Sequence, residues 1–177
     1  MNELRRTMNG AAAGAAAAAV WAAQQPLDKR AFGSRHDDVE LLGKLATRGS
    51  GWPGVGLAIH LANGAAFGAL FALVRPFAPG PATATGAGAA LAEHLATWPL
   101  TTFVDRYHPA RKELEPLRGN ARAFAQSAWR HLLFGLVLGE LERRLNADAE
   151  FEPLEDVPVA SNGHGNIEHA AAGAATQ

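Results

Sequence analysis

The chain has 177 residues, with 16 lysines and arginines against 17 aspartates and glutamates, and no cysteine. That length fits one domain, the balanced charge argues against nucleic acid as a partner, and the missing thiols exclude disulfides, thiolate catalysis and cysteine-ligated metal centres. Mean hydropathy is only −0.05, but charge is strongly segregated along the sequence, and the expected elements follow from where it is absent.

Thr7 to Leu27 is a 21-residue stretch without a charge, about the length that crosses the hydrocarbon layer as a helix. Ten of the thirteen residues from Ala11 to Ala23 are alanine, which keeps the stretch weakly apolar and makes a soluble all-α bundle the alternative. Arg5 and Arg6 ahead of it also fit a cleaved signal peptide. In the polar connection Asp28 to Ser50, the run "DDVELLGKLATR" spaces Val39, Leu42 and Leu45 at three residues. This predicts a short amphipathic helix lying on the membrane surface or on the bundle. Gly49 to Val74 is uncharged over 26 residues, and Pro76 to Ala92 over 17, continuing past Glu93 and His94 to Val104. A second polar connection, Asp105 to Arg122, leads into Ala123 to Gly139, which only Arg130 and His131 interrupt. The expected fold is an all-α, integral membrane four-helix bundle over residues 1–147, with spans at about 7–27, 51–75, 82–104 and 122–145. From Asp148 onward there are six acidic residues and no basic ones, so residues 148–177 are expected to form a disordered acidic tail.

The sequence repeats itself. Gly56, His60, Gly64 and Gly68 recur 71 residues later as Ser127, His131, Gly135 and Gly139, each set on one helical ridge. Trp21, followed by Asp28 and Lys29, recurs as Trp98, followed by Asp105 and Arg106. This match argues against a disposable leader and for two parallel copies of a helix hairpin, a 2+2 arrangement about an axis along the membrane normal. Small residues four apart let helix backbones approach closely in lipid. The two glycine ridges either face each other or pack on the preceding helix of their own copy, where Gly10 and Gly14 offer a second small pair. The two long connections carry ten lysines and arginines against five elsewhere outside the spans, which places them in the cytoplasm and both termini outside.

Few residues offer chemistry. His60 and His131 lie at matched depth, about 12 to 13 Å inside the same face. They serve either as interhelical hydrogen-bonding groups or, alternatively, as ligands of a haem or metal ion. Glu93, His94 and Arg130 have only Ala16, Ala17 and Ile59 at the corresponding places in the first copy. An ion pair between Glu93 and Arg130 is the expected neutralisation. With His94 and His131 it makes a candidate buried polar cluster, either a static pair or a pathway for protons or small solutes. Trp21, Asp28, Lys29, Trp98, Asp105 and Arg106 are expected as interface anchors. No nucleophile elbow, phosphate loop, HExxH helix or paired-carboxylate site is present, so no enzymatic activity and no bound cofactor are expected.

With "GLAIHLANGAAFGALFAL" and "AWRHLLFGLVLGEL" on the second and fourth spans, the chain resembles the YagU-like and related small four-span bacterial inner-membrane proteins of uncharacterised function. It departs from them in its alanine-heavy first span and its acidic tail. The resemblance implies a multi-pass protein of the bacterial inner membrane. The expected role is structural or partner-binding, with the lipid bilayer and a second copy or another membrane protein as partners. A proton or solute pathway is the first alternative, and a bis-histidine haem or metal carrier the second.

Overall fold

The computed structural model describes residues 3–147, which form helices and turns without a strand. The expected tail at 148–177 lies outside the described residues. Helix α1 runs from Glu3 to Phe32 on alanine-rich sequence of high helix propensity, and Gly33 ends it in the left-handed conformation, φ 62°. Helix α2, Asp38–Ala46, starts where the Asp37 side chain accepts from the Glu40 amide. Helix α3, Trp52–Val74, has Pro53 in its first turn and stops before Pro76. The third apolar stretch is broken. Helix α4, Ala82–Thr97, gives way to a 3-10 turn around Pro99 and then to α5, Thr101–Tyr107. Helix α6, Ala121–Leu145, is capped by Asn120, whose Oδ1 accepts from the Ala123 amide at 3.0 Å.

The glycine ridges settle which helices pair. A Cβ on Gly14 would overlap the Gly64 carbonyl, and one on Gly68 would overlap the Gly10 carbonyl, so α1 and α3 touch backbone to backbone. In the second hairpin, Gly135 and Gly139 lie on Gly86 and Ala82 of α4 in the same way. Each ridge therefore packs on the preceding helix of its own copy, and the two ridges do not face each other. Gly56 has a different neighbour. It lies against Val39 and Gly43 of α2, which places the short helix on the bundle. Ser127, its counterpart, bonds to histidines instead.

Helices α1 and α6 join the hairpins, antiparallel, with Asn9 donating to the Leu145 carbonyl at one end and Asp28 meeting Gln126 at the other. The two hairpins thus run in the same direction. A two-fold axis would repeat the α1–α6 contact between α4 and α3, but no comparable contact is made there. A cavity occupies that place. The buried apolar core is small, formed by Ala13, Ala17, Ala18, Trp21, Phe71, Ala90, Phe134 and Leu138.

Among the described residues one helical stretch, Trp52–Phe77, is long and apolar enough to cross a membrane. The other three expected spans fall short of that measure for separate reasons. Asn9, Gln24 and Gln25 dilute the alanines of α1, Glu93 and His94 interrupt the third stretch, and Arg130, Glu140 and Glu142 interrupt α6.

Candidate functional site

The space between α3 and α4 is a cavity of about 590 Å³. Trp21 of α1 and Ser127, His131 and Phe134 of α6 line it between those two helices. Its polar residues gather toward the connections: His36 just before α2 and Asp38 at its start, His60 and Asn63 on α3, Glu93, His94 and Thr97 on α4. Toward the α3–α4 turn the lining becomes Ala66, Phe67, Leu70 and Ala90. Beyond the polar cluster, Leu41, Leu42, Leu100, Val104 and Leu117 line the other end, so the polar side chains sit between two apolar regions.

The expected Glu93–Arg130 ion pair does not form. Neighbouring residues on a helix point about 100° apart, so Arg130 and His131 face different elements. Arg130, fully buried, turns toward α1 and α2. Its Nε and Nη2 donate to the two carboxylate oxygens of Asp28 at 2.6 Å, its Nη1 donates to Asp38 Oδ2 at 2.6 Å, and Nη2 also donates to the His36 carbonyl at 3.0 Å. Asp28 also accepts from Gln126 at 2.6 Å and Gln24 at 2.5 Å. Two carboxylates thus share one guanidinium at the α1–α6 interface, the bidentate geometry for which arginine is suited. Asp38 receives further support from Trp21 Nε1 at 3.2 Å and from His36 Nε2 at 3.3 Å. Burial alone would push the Asp38 carboxyl up, but His36, Arg130 and His60 outweigh it and hold the group well below 3.8.

Glu93 pairs with His131 instead, Oε2 to Nε2 at 2.8 Å. His131 Nδ1 lies 2.8 Å from the Ser127 carbonyl. A carbonyl only accepts, so Nδ1 carries a hydrogen, and a neutral His131 would then turn a bare Nε2 toward the carboxylate. Two acceptors at 2.8 Å need a proton between them. The pair therefore holds one exchangeable proton, as imidazolium–carboxylate or as imidazole–carboxylic acid. Ser127 Oγ lies 3.3 Å from His94 Nδ1 and 3.5 Å from His131 Nδ1, and the two imidazole rings are 4.8 Å apart. Of the expected cluster, Glu93, His94 and His131 come together, while Arg130 belongs to the separate Asp28–Asp38 network.

His60 and His131 both meet the indole of Trp21 edge-on, at 5.2 and 4.7 Å between centroids. No group of three or more histidine, aspartate or glutamate side chains among the described residues is arranged to hold a metal ion. The expected anchors also need correction. Trp21 is buried and Asp28 is 3 % exposed, because the α1–α6 contact covers that end of α1. Lys29 pairs with Asp37 at 2.5 Å. Trp98, half-buried, packs on His94 and Phe124. Asp105 accepts from the Leu117 and Arg118 amides and so shapes the second connection, while exposed Arg106 lies over Tyr107.

Sequence reasoning did not single out Gln126 or Asp38. Their signal was present in the asymmetry of the repeat: Arg130 replaces Ile59, and its partner comes from the other copy. The two connections are also tied together. Lys44 and Arg48 pair with Glu113, Ser34 donates to Glu115 at 2.9 Å, and His108 Nε2, with its Nδ1 accepting from the Ala110 amide, donates to the Leu41 carbonyl at 3.0 Å. Comparison with family models, with curated proteins and with solved structures finds no match.

Proposed function

We propose that this protein is a membrane-embedded helical bundle that takes up and hands on protons at the Glu93–His131 pair, within the cavity between α3 and α4. The observation that carries this reading is the cavity itself, about 590 Å³ and lined by both members of the pair. A purely structural role calls for a sealed bundle. Here the closest helix contacts are made elsewhere, along the glycine ridges, and a largely apolar cavity holding a cluster of ionisable side chains is left between the hairpins.

Two features support membrane residence. Only 28 % of the most apolar window of the α3 stretch is buried, so its apolar surface faces outward, as lipid contact requires. Large apolar side chains on both cavity-flanking helices are also exposed, among them Leu73 and Leu95. The four-span topology and the resemblance to YagU-like proteins belong to this proposal. Ionisable groups inside such a bundle are costly unless paired or functional, and His131, its side chain 13 % exposed, meets Glu93, 41 % exposed, at 2.8 Å. The Ser127 hydroxyl, which both donates and accepts, stands between His131 and His94 and provides the next step.

The test is proton flux into liposomes carrying the purified protein and an internal pH-sensitive dye. Glu93→Gln keeps the side-chain shape and removes the titrating carboxyl. Flux in the wild type and its loss in Glu93→Gln are expected; equal flux in both proteins, or none in either, overturns the proposal.

A further inference from the structure

The two connections use their charges differently. In the first, Lys29, Lys44 and Arg48 are each held by a carboxylate. In the second, all three carboxylates are engaged away from its own cations: Asp105 accepts from the Leu117 and Arg118 amides, Glu113 pairs with Lys44 and Arg48, and Glu115 accepts from Ser34, Asn120 and the Arg35 amide. Its five basic side chains, Arg106, Arg111, Lys112, Arg118 and Arg122, are exposed and make no ion pair among the described residues.

Helix α5 sets some of these cations beside bare hydrocarbon. Thr101 and Val104 line the cavity, while Phe103, Arg106 and Tyr107, at i, i+3 and i+4, share the opposite face. Phe103 and Tyr107 are 61 % and 63 % exposed and stack with centroids 6.1 Å apart, and the Arg106 guanidinium lies 5.3 Å from the centre of the Tyr107 ring. The Leu117 and Arg118 amides, at 3.0 and 2.7 Å from the Asp105 carboxylate, bring Arg118 to the same end of α5.

This juxtaposition narrows the partner. A soluble anion would need the arginines alone, whereas large exposed rings next to them fit a molecule that also carries hydrocarbon chains. Apolar side chains, then aromatic rings, then arginines is the order in which a leaflet presents chains, interface and phosphate. Leu95 and Leu100, both exposed, continue the apolar side toward α4. A zwitterionic head would bring a cation of its own to unpaired arginines, so a net negative head is favoured. The chain's own acidic run after Asp148 follows the other end of the 25-residue helix α6, about 37 Å away and across the bilayer.

We infer that the outer face of α5 binds an anionic phospholipid, with the phosphate between Arg106 and Arg118, Tyr107 at the headgroup and the chains along Phe103 and Leu100. This inference rests on the membrane residence proposed above and not on the proton route.

The experiment titrates the detergent-purified full chain, at 0.15 M salt, with phosphatidylglycerol brominated in its chains. Binding is read by quenching of tryptophan fluorescence, since Trp98 lies one turn before α5. Saturable quenching is expected, and far weaker quenching by phosphatidylcholine with the same chains. Arg106→Gln with Arg118→Gln should weaken phosphatidylglycerol about thirtyfold, each basic residue at an anionic lipid surface contributing about a factor of five. Arg111→Gln with Lys112→Gln removes the same charge elsewhere on the connection and should change affinity by no more than about a factor of five, because salt screens charges beyond about 8 Å. All four positions are exposed, so the fold is left intact. Glycerol 1-phosphate, a head without chains, should not displace the lipid. Equal quenching by the two lipids, equal losses in the two double variants, or displacement by glycerol 1-phosphate overturns the inference. Liposome proton flux without lipid selectivity removes this inference alone; selective lipid binding without flux removes the proton route alone.

Discussion

Asp28→Asn offers a direct measure of what joins the two hairpins. Asp28 accepts four hydrogen bonds, two from Arg130, one from Gln126 and one from Gln24. A carboxamide accepts only at its oxygen, so its NH2 would face donors on Arg130 or Gln126, while the fully buried guanidinium would keep only Asp38 as an anionic partner. Removing one member of a buried ion pair costs about 3–5 kcal/mol. In a protein of this size that lowers Tm by about 10 °C, at roughly 2–4 °C per kcal/mol. Arg130→Met combined with Asp28→Leu removes that pair but leaves Asp38 without its guanidinium, so it should recover only part of the loss. Thermal unfolding in detergent of Asp28→Asn, Asp28→Leu, Arg130→Met and the double variant, with coupling taken from the cycle of the last three, gives the measurement. A loss below about 1 kcal/mol for Asp28→Asn, the range of an exposed pair, would show that the network does not hold α1 to α6.

Two further outcomes follow from the same coordinates. Gly86→Ala places a methyl into the Gly135 backbone, whereas Gly88→Ala, on the same helix, meets nothing within 4 Å. The first should destabilise by about 1–3 kcal/mol and the second stabilise by about 0.5–1 kcal/mol, a difference in sign that thermal unfolding resolves. The Asp38 carboxyl is held below its ordinary value in the folded chain. Between that depressed value and 3.8 the unfolded chain binds more protons, so the contribution is complete above the ordinary carboxylate range and disappears as pH falls through this window. Denaturant midpoints of wild type and Asp38→Asn should therefore differ above the ordinary carboxylate range and draw together as pH falls below it; a gap that does not shrink in acid would contradict the assignment.

The repeat made much of the architecture legible. Gly64, Gly68, Gly135 and Gly139 do form the close helix contacts, because a residue without a side chain has little else to offer in mid-helix. The short helix α2 was visible in the spacing of Val39, Leu42 and Leu45, but it docks through Gly43, and Leu45 is exposed. Asp28 was misread because its position at the end of a span has an ordinary interfacial explanation; only the α1–α6 contact shows that Arg130 reaches it. Glu93 and His131 were legible as polar breaks in apolar stretches, but their pairing depended on rotation about α4 and α6, and a neighbouring arginine drew the assignment away. The cavity was not legible at all. It arises from a contact that α3 and α4 do not make, and no residue type records that.

That Glu93 and His131 line a water-accessible cavity within a surface that faces lipid is directly measurable, because the sequence has no cysteine. Asn63→Cys places a thiol in the cavity lining, and Leu95→Cys, at a position 61 % exposed, places one outside it. In liposomes a water-soluble thiol reagent should label Asn63→Cys and leave Leu95→Cys unreacted until detergent is added. Rapid labelling of Leu95→Cys in intact liposomes, with Asn63→Cys protected, would contradict the account.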